Sequence, residues 1–88
     1  MTLYAISYDL HREKDYQTLW DALDELGAHK ALNSFYLVNL TDEDPQSVVS
    51  YLAQYIDDDD HLIAVRFIGR PRYTKAKRGT NDWVKENT

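Results

Sequence analysis

Asp9 stands where an alternating apolar run gives way to polar sequence (Tyr8-Asp9-Leu10-His11), and by type and place it is the first candidate for chemistry. A carboxylate at a strand end offers hard oxygen donors to a divalent cation, Mg²⁺ or Mn²⁺ before others, and such an ion activates water for attack on a phosphodiester. The same residue can instead accept backbone hydrogen bonds in the turn that follows, a routine task for Asp. His11, two residues on, is the histidine placed near it as a candidate general base. Ser34 is a candidate nucleophile only with an identified base, and no triad is visible, so a hydrogen bond in a turn or bulge is the role expected of it. His11, His29 and His61 lie 18 and 32 residues apart, which matches no zinc motif. The run Asp57 to Asp60 contains no glycine for the tight wrap of a calcium loop, so a solvated loop is expected there, with Asp59 or Asp60 anchoring a turn.

The second constellation is basic: Arg66, Arg70, Arg72, Lys75, Lys77 and Arg78, with Tyr73 and Trp83 among or after them. Interleaved cations and aromatic rings suit single-stranded nucleic acid, whose phosphates take the charges and whose bases stack on the rings. The formal net charge of −5 hides this. Residues 1 to 61 hold 13 acids and three bases (Arg12, Lys14, Lys30), a net of −10, whereas residues 62 to 88 hold seven bases and two acids, a net of +5. The basic segment can therefore bind a polyanion or lie against the acidic body of its own or a partner subunit.

What must position these groups is small. A chain of 88 residues is one domain. With 43% apolar and 12% aromatic residues it can build a core, but at this length it buries only roughly 60 to 65% of the surface its unfolded form exposes. A partner subunit is a natural supplement. The absence of cysteine excludes disulfides, thiolate metal sites and thiol nucleophiles. No apolar run approaches the roughly 18 residues of a membrane span and no basic start precedes an apolar core, so a soluble, cytoplasmic protein without membrane contact is expected.

The periodicities predict the elements in order. Leu3 to Leu10 alternates Tyr4, Ile6 and Tyr8 against Leu3, Ala5, Ser7 and Asp9, a strand apolar enough on both faces to be central. Tyr16, Leu19, Trp20, Leu23 and Leu26 recur at helical spacing, with Asp15 as N-cap and Gly27 just past the end. Asp21, Asp24 and Glu25 fall off that stripe and should face water. Lys30 to Leu40 predicts two strands broken at Asn33-Ser34. Asp44-Pro45 predicts a capped helix to about Ile56, using Val48, Val49, Leu52, Tyr55 and Ile56. His61 to Ile68 is the fourth strand. From Gly69 onward no sustained period is visible beyond a short strand at Arg72 to Lys75, so residues 69–88 are expected as a basic arm appended to a domain of residues 1–68.

The order β-α-β-β-α-β is the ferredoxin-like arrangement of the α+β class: a four-stranded antiparallel sheet with both helices on one face. The other face needs a cover, and a second copy is the economical one. In this topology the first and third strands are neighbours, which predicts Asp9 close to Ser34 and Tyr36. Across a two-fold axis Asp9 could meet its mate and share one ion.

Tyr8-Asp9-Leu10, Leu26-Gly27, Asn33-Ser34-Phe35-Tyr36 and Asp59-Asp60, in that order and spacing, resemble the CRISPR-associated Cas-two family over roughly residues 3 to 68. The virulence-associated protein D family of toxin ribonucleases is a more distant resemblance with the same fold. The resemblance implies a homodimer, Asp9 as the family's metal-binding aspartate, and a terminal strand within Gly69 to Ala76 that joins the partner's sheet. It implies either a metal-dependent endonuclease on RNA or DNA or a non-catalytic scaffold clamped by an integrase partner. Few basic residues follow the first strand, and Leu32 stands near where the family commonly has glutamine, which points to a stand-alone or divergent member. The alternative from the residues themselves is a regulator that binds a protein partner through its acidic face.

Overall fold

Alternation along β1 (Thr2–Asp9) sends Tyr4, Ile6 and Tyr8 to one side, where each is at most 4% exposed, and Leu3, Ala5, Ser7 and Asp9 to the other. The structure is a computed structural model, and it describes residues 2–10, 16–41 and 44–88. After β1 come α1 (Tyr16–Glu25), β2 (His29–Leu32), β3 (Phe35–Leu40), α2 (Pro45–Ala53), β4 (His61–Phe67) and α3 (Thr80–Asn87). The sheet order is β2-β3-β1-β4 with every pairing antiparallel, the ferredoxin-like order expected.

Local chemistry sets the ends of these elements. At the end of α1, Ala28 N–H donates to Leu23 O (3.1 Å) and Gly27 N–H to Asp24 O (3.0 Å), with Gly27 at φ 76°. This is the Schellman closure, and it needs the left-handed residue that glycine supplies at little steric cost. Asp44 Oδ1 accepts from Ser47 N–H at 2.8 Å ahead of Pro45, the cap expected for α2. That helix ends at Ala53 instead of near Ile56, while Tyr55 and Ile56 still pack on the core. The expected cap Asp15 lies outside the described residues.

Both helices cover one face, called here the near face. Leu19, Ala22 and Leu23 of α1 and Val48 and Leu52 of α2 close over Tyr4, Ile6, Tyr8, Tyr36 and Val38. Burying an aliphatic side chain of this kind contributes about 1.5–3 kcal/mol, so this layer dominates stability. The far face carries Ala5, Ala31, Phe35, Leu37 and Phe67, and the segment expected as a basic arm contributes a helix to it that the sequence pattern did not show. Residues 80–87 form α3, whose Val84 (4% exposed) and Trp83 pack on that cluster. Lys77 N–H donates to Ala31 O at 2.9 Å, and His29 Nε2 meets Thr80 Oγ1 at 2.7 Å. The Thr80 hydroxyl gives its one proton to Lys77 O (2.7 Å), so His29 is the donor in that pair. Arg72 to Lys75, expected as a strand, is not one in the single chain. The far face is thus half roofed by its own chain, and a second copy is not needed over β2 and β3.

Candidate functional site

The end of β1 is fixed by its neighbour Tyr8. Trp20 Nε1–H donates to the Tyr8 hydroxyl at 2.6 Å, and that hydroxyl donates to Asn33 O at 3.1 Å. Tyr8 N–H also donates to Ser34 O at 3.2 Å. Burial raises the Tyr8 pKa, a shift only partly offset by the bond from Trp20, so the phenol stays neutral and the network intact. With Tyr8 held inward, strand alternation turns Asp9 outward, where it is exposed.

Register then decides what Asp9 meets. On the β3 side Ser7 pairs with Phe35 and Ile6 with Tyr36. Ser34 is brought next to the end of β1 as expected, but through its carbonyl on Tyr8. Tyr36 sits on the near face, 3% exposed, with its phenol pKa pushed far upward by burial, so it does not accompany Asp9. On the β4 side Asp9 pairs directly with His61. The two line one shallow depression of about 200 Å³ with Ser7, Tyr8, Leu62 and Ile63. His61 is therefore the described histidine at Asp9; His11 lies outside the described residues. Sequence reasoning weighed only the third strand as a neighbour of Asp9. The signal was available, because the fourth strand flanks the first on its other side and runs against it.

The acidic loop behaves as expected. Asp57 N–H donates to Asp60 Oδ2 (2.8 Å) and Asp60 N–H to Asp57 O (3.1 Å), so Asp60, 8% exposed, anchors the turn into β4. Among the described residues no group of three or more His, Asp or Glu side chains gathers as a metal cage. Asp9 fits a hard cation in donor type, and a single chain leaves most of the coordination shell to water, substrate phosphate or another chain.

The basic residues divide into sets. Arg70, Arg72 and Lys75 rim an apolar hollow of about 390 Å³ floored by Phe35, Leu37 and Phe67. Lys75, Lys77 and Arg78 line the concavity at the start of α3, and Tyr73, 41% exposed, borders both and donates its hydroxyl proton to Asn81 Oδ1. Arg70 Nε donates to Thr88 Oγ1 at 3.3 Å. Arg66 stands apart, opposite Tyr4 in register and so on the near side of β4. Trp83, expected to be available for stacking, is committed to the far-face cluster. Two cations join the basic surface that sequence reasoning left out of it. Lys85 of α3 lies with Arg70, Arg72 and Tyr73. Lys30 lies close enough to Lys77 for the two charges to interact, and its pKa is lowered first by burial and then by Lys77. Its ammonium sits 3.7 Å from the Trp20 ring centroid, a cation–π contact that joins β2 to α1. No ion pair ties Arg72, Lys75, Lys77 or Arg78 to a carboxylate among the described residues.

The family model for CRISPR associated protein Cas2 matches residues 1–76. The chain belongs to that family. The match spans the whole β1 to β4 unit together with Asp9, and it stops one residue before Lys77, where the chain turns back onto the far face. As a Cas2 family member the protein is tied to CRISPR-associated, nucleic-acid-related function, and the fold expected from the sequence agrees with the structure. No helix among the described residues is long and apolar enough to cross a membrane.

Proposed function

We propose that this Cas2 family protein works as a homodimer that binds RNA or DNA through its basic C-terminal segment and hydrolyses phosphodiester bonds with Mg²⁺ or Mn²⁺ held at Asp9. The observation that carries the reading is the exposed Asp9 at the end of a central strand, beside an open apolar surface in which Ile63 is 58% and Val65 50% exposed. Ile68, just past the end of β4, is 89% exposed. Exposed large apolar side chains at alternate positions on one strand face, Ile63 and Val65, mark an interaction site. A second copy seated there would bring two Asp9 side chains toward one axis, and Arg72 to Lys75 would add as a strand to the partner's sheet.

In this reading Asp9 binds the ion and the rigid Tyr8 bonds hold its strand end still. Arg70, Arg72, Lys75, Lys77 and Arg78 hold the phosphates, and Tyr73 offers a ring to a base. The bound ion supplies Lewis acidity and an activated water. Incubation with single-stranded RNA and with duplex DNA in Mg²⁺ or Mn²⁺ tests the site. Asp9→Ala should lower the cleavage rate at least about a hundredfold, and cleavage that survives it removes Asp9 from the mechanism. Binding is tested separately: Lys75→Ala, Lys77→Ala and Arg78→Ala should each reduce the slope of log affinity against log salt by about 1.

A second reading rests on Asp21, Asp24 and Glu25, all exposed on α1. There the protein is a non-catalytic scaffold or regulator whose acidic helical face meets a basic surface of a protein partner, an integrase in the resemblance drawn above. Reversing these three charges should abolish such a complex while leaving any cleavage unchanged. A complex that survives the reversal removes the acidic face from the interaction and favours the first reading instead.

A further inference from the structure

The pairing of Asp9 with His61 is a matter of register, and register fixes face. Asp9 shares its face with Ser7 and Ala5, His61 with Ile63 and Val65, and the pairs Asp9–His61, Ser7–Ile63 and Ala5–Val65 lie across from one another. Directly opposed residues on one face of an antiparallel pair have Cβ atoms about 4.5–5.5 Å apart. From that separation a carboxylate oxygen and an imidazole nitrogen can both reach one ion at about 2.0–2.2 Å each. Both also line the same depression.

The two strand ends are held. Tyr8, bonded to Trp20, Asn33 and Ser34, fixes the approach to Asp9. Asp60, bonded twice to Asp57, fixes the approach to His61. Donors that need little ordering bind at a smaller entropic cost than donors on loose loops.

Donor chemistry then sets the choice of ion. A carboxylate alone favours Mg²⁺, Ca²⁺ or Mn²⁺, while an added imidazole favours Ni²⁺, Co²⁺ and Zn²⁺. We infer that Asp9 and His61 together form a mixed oxygen–nitrogen site that takes a borderline divalent transition ion in preference to Mg²⁺. The inference rests on Asp9 as a metal ligand and adds a second ligand and a selectivity to it.

Calorimetric titration of the full chain with Ni²⁺ and with Mg²⁺ as separate probes tests it. The wild-type protein should bind Ni²⁺ at least about tenfold more tightly than Mg²⁺. His61→Gln should weaken Ni²⁺ about tenfold and leave Mg²⁺ within about twofold, whereas Asp9→Asn should weaken both. Unchanged Ni²⁺ affinity in His61→Gln, with Mg²⁺ weakened in Asp9→Asn, overturns the paired site and leaves the Asp9 reading standing. Unchanged affinities in Asp9→Asn, or no binding of either ion by the wild-type protein, overturn both. His11→Gln and His29→Gln should not alter Ni²⁺ binding, and a loss in either one places the ion elsewhere and overturns the pairing. In the unmutated protein, substoichiometric Mn²⁺ should broaden the NMR signals of the His61 ring and the Asp9 amide first; broadening that begins elsewhere overturns the site without relying on any variant.

Discussion

The far face of the sheet has two halves that the chain treats differently. Over β2 and β3 it presents Ala31, Phe35 and Leu37, and α3 lies on them through Trp83 and Val84. Over β1 and β4 it presents Ser7, Asp9, His61, Ile63 and Val65, and Ile63 and Val65 stay half exposed or more. Both halves are apolar enough to need a cover, yet the chain folds back over the half that holds no candidate ligand. The open half keeps its apolar residues next to the Asp9–His61 pair. Closing one half internally leaves the strip that carries the candidate ligands as the apolar part of this face still open to a partner.

Charge placed in each half separates them most strongly. Val84→Asp buries an unpaired carboxylate in the closed half and should cost about 3 kcal/mol or more in urea unfolding. Val65→Asp in the open half should change the stability of the single chain by about 0.5 kcal/mol or less, while abolishing self-association measured by sedimentation. Equal destabilisation by the two would show that the halves do not differ. A smaller effect is expected at the joint that brings α3 back. Gly79 has φ 94°, and an added Cβ would lie 3.3 Å from His29 Cε1. Gly79→Ala should therefore cost about 1–2 kcal/mol in the same measurement, and no loss would mean that this joint does not hold the roof.

The smallest effect is a pH dependence at that joint. Burial lowers the His29 pKa in the folded protein. Below about 6.5, the ordinary value for histidine, the unfolded chain takes up a proton that the folded chain resists. The contribution of His29 is thus full above that pH, declines as pH falls toward the lowered folded-state value, and levels off below it. Unfolding midpoints between pH 7.5 and 5.5 should show a slope for the wild-type protein that is shallower in His29→Gln.

Much of the fold was legible because its near face repeats cleanly. Tyr4-Ile6-Tyr8 has period two, Leu19-Leu23-Leu26 has helical spacing, and Gly27 and Asp44-Pro45 are local signals whose physics needs no tertiary context. The helix at residues 80–87 was not legible, since Trp83 and Val84 are its large apolar residues and one adjacent pair defines no period. It is a helix because those two residues find Ala31 and Leu37, a contact made far along the chain. Asp9 was recognisable from its place at a strand end. His61 was not singled out because its relation to Asp9 exists only through the β1–β4 register, and Lys30 was counted with the acidic body although folding sets it near Lys77.

The Tyr8 hydroxyl has a further consequence. One oxygen accepts from Trp20 and donates to Asn33, so α1, the end of β1 and the β2–β3 turn meet at a single atom. Removing that atom would strand two polar groups at once, and a part-buried indole N–H and a carbonyl would both need new partners. The site end of the sheet is therefore a pinned joint. A load applied to α1, on its solvent-facing acidic side, is carried through Trp20 to the strand that presents Asp9.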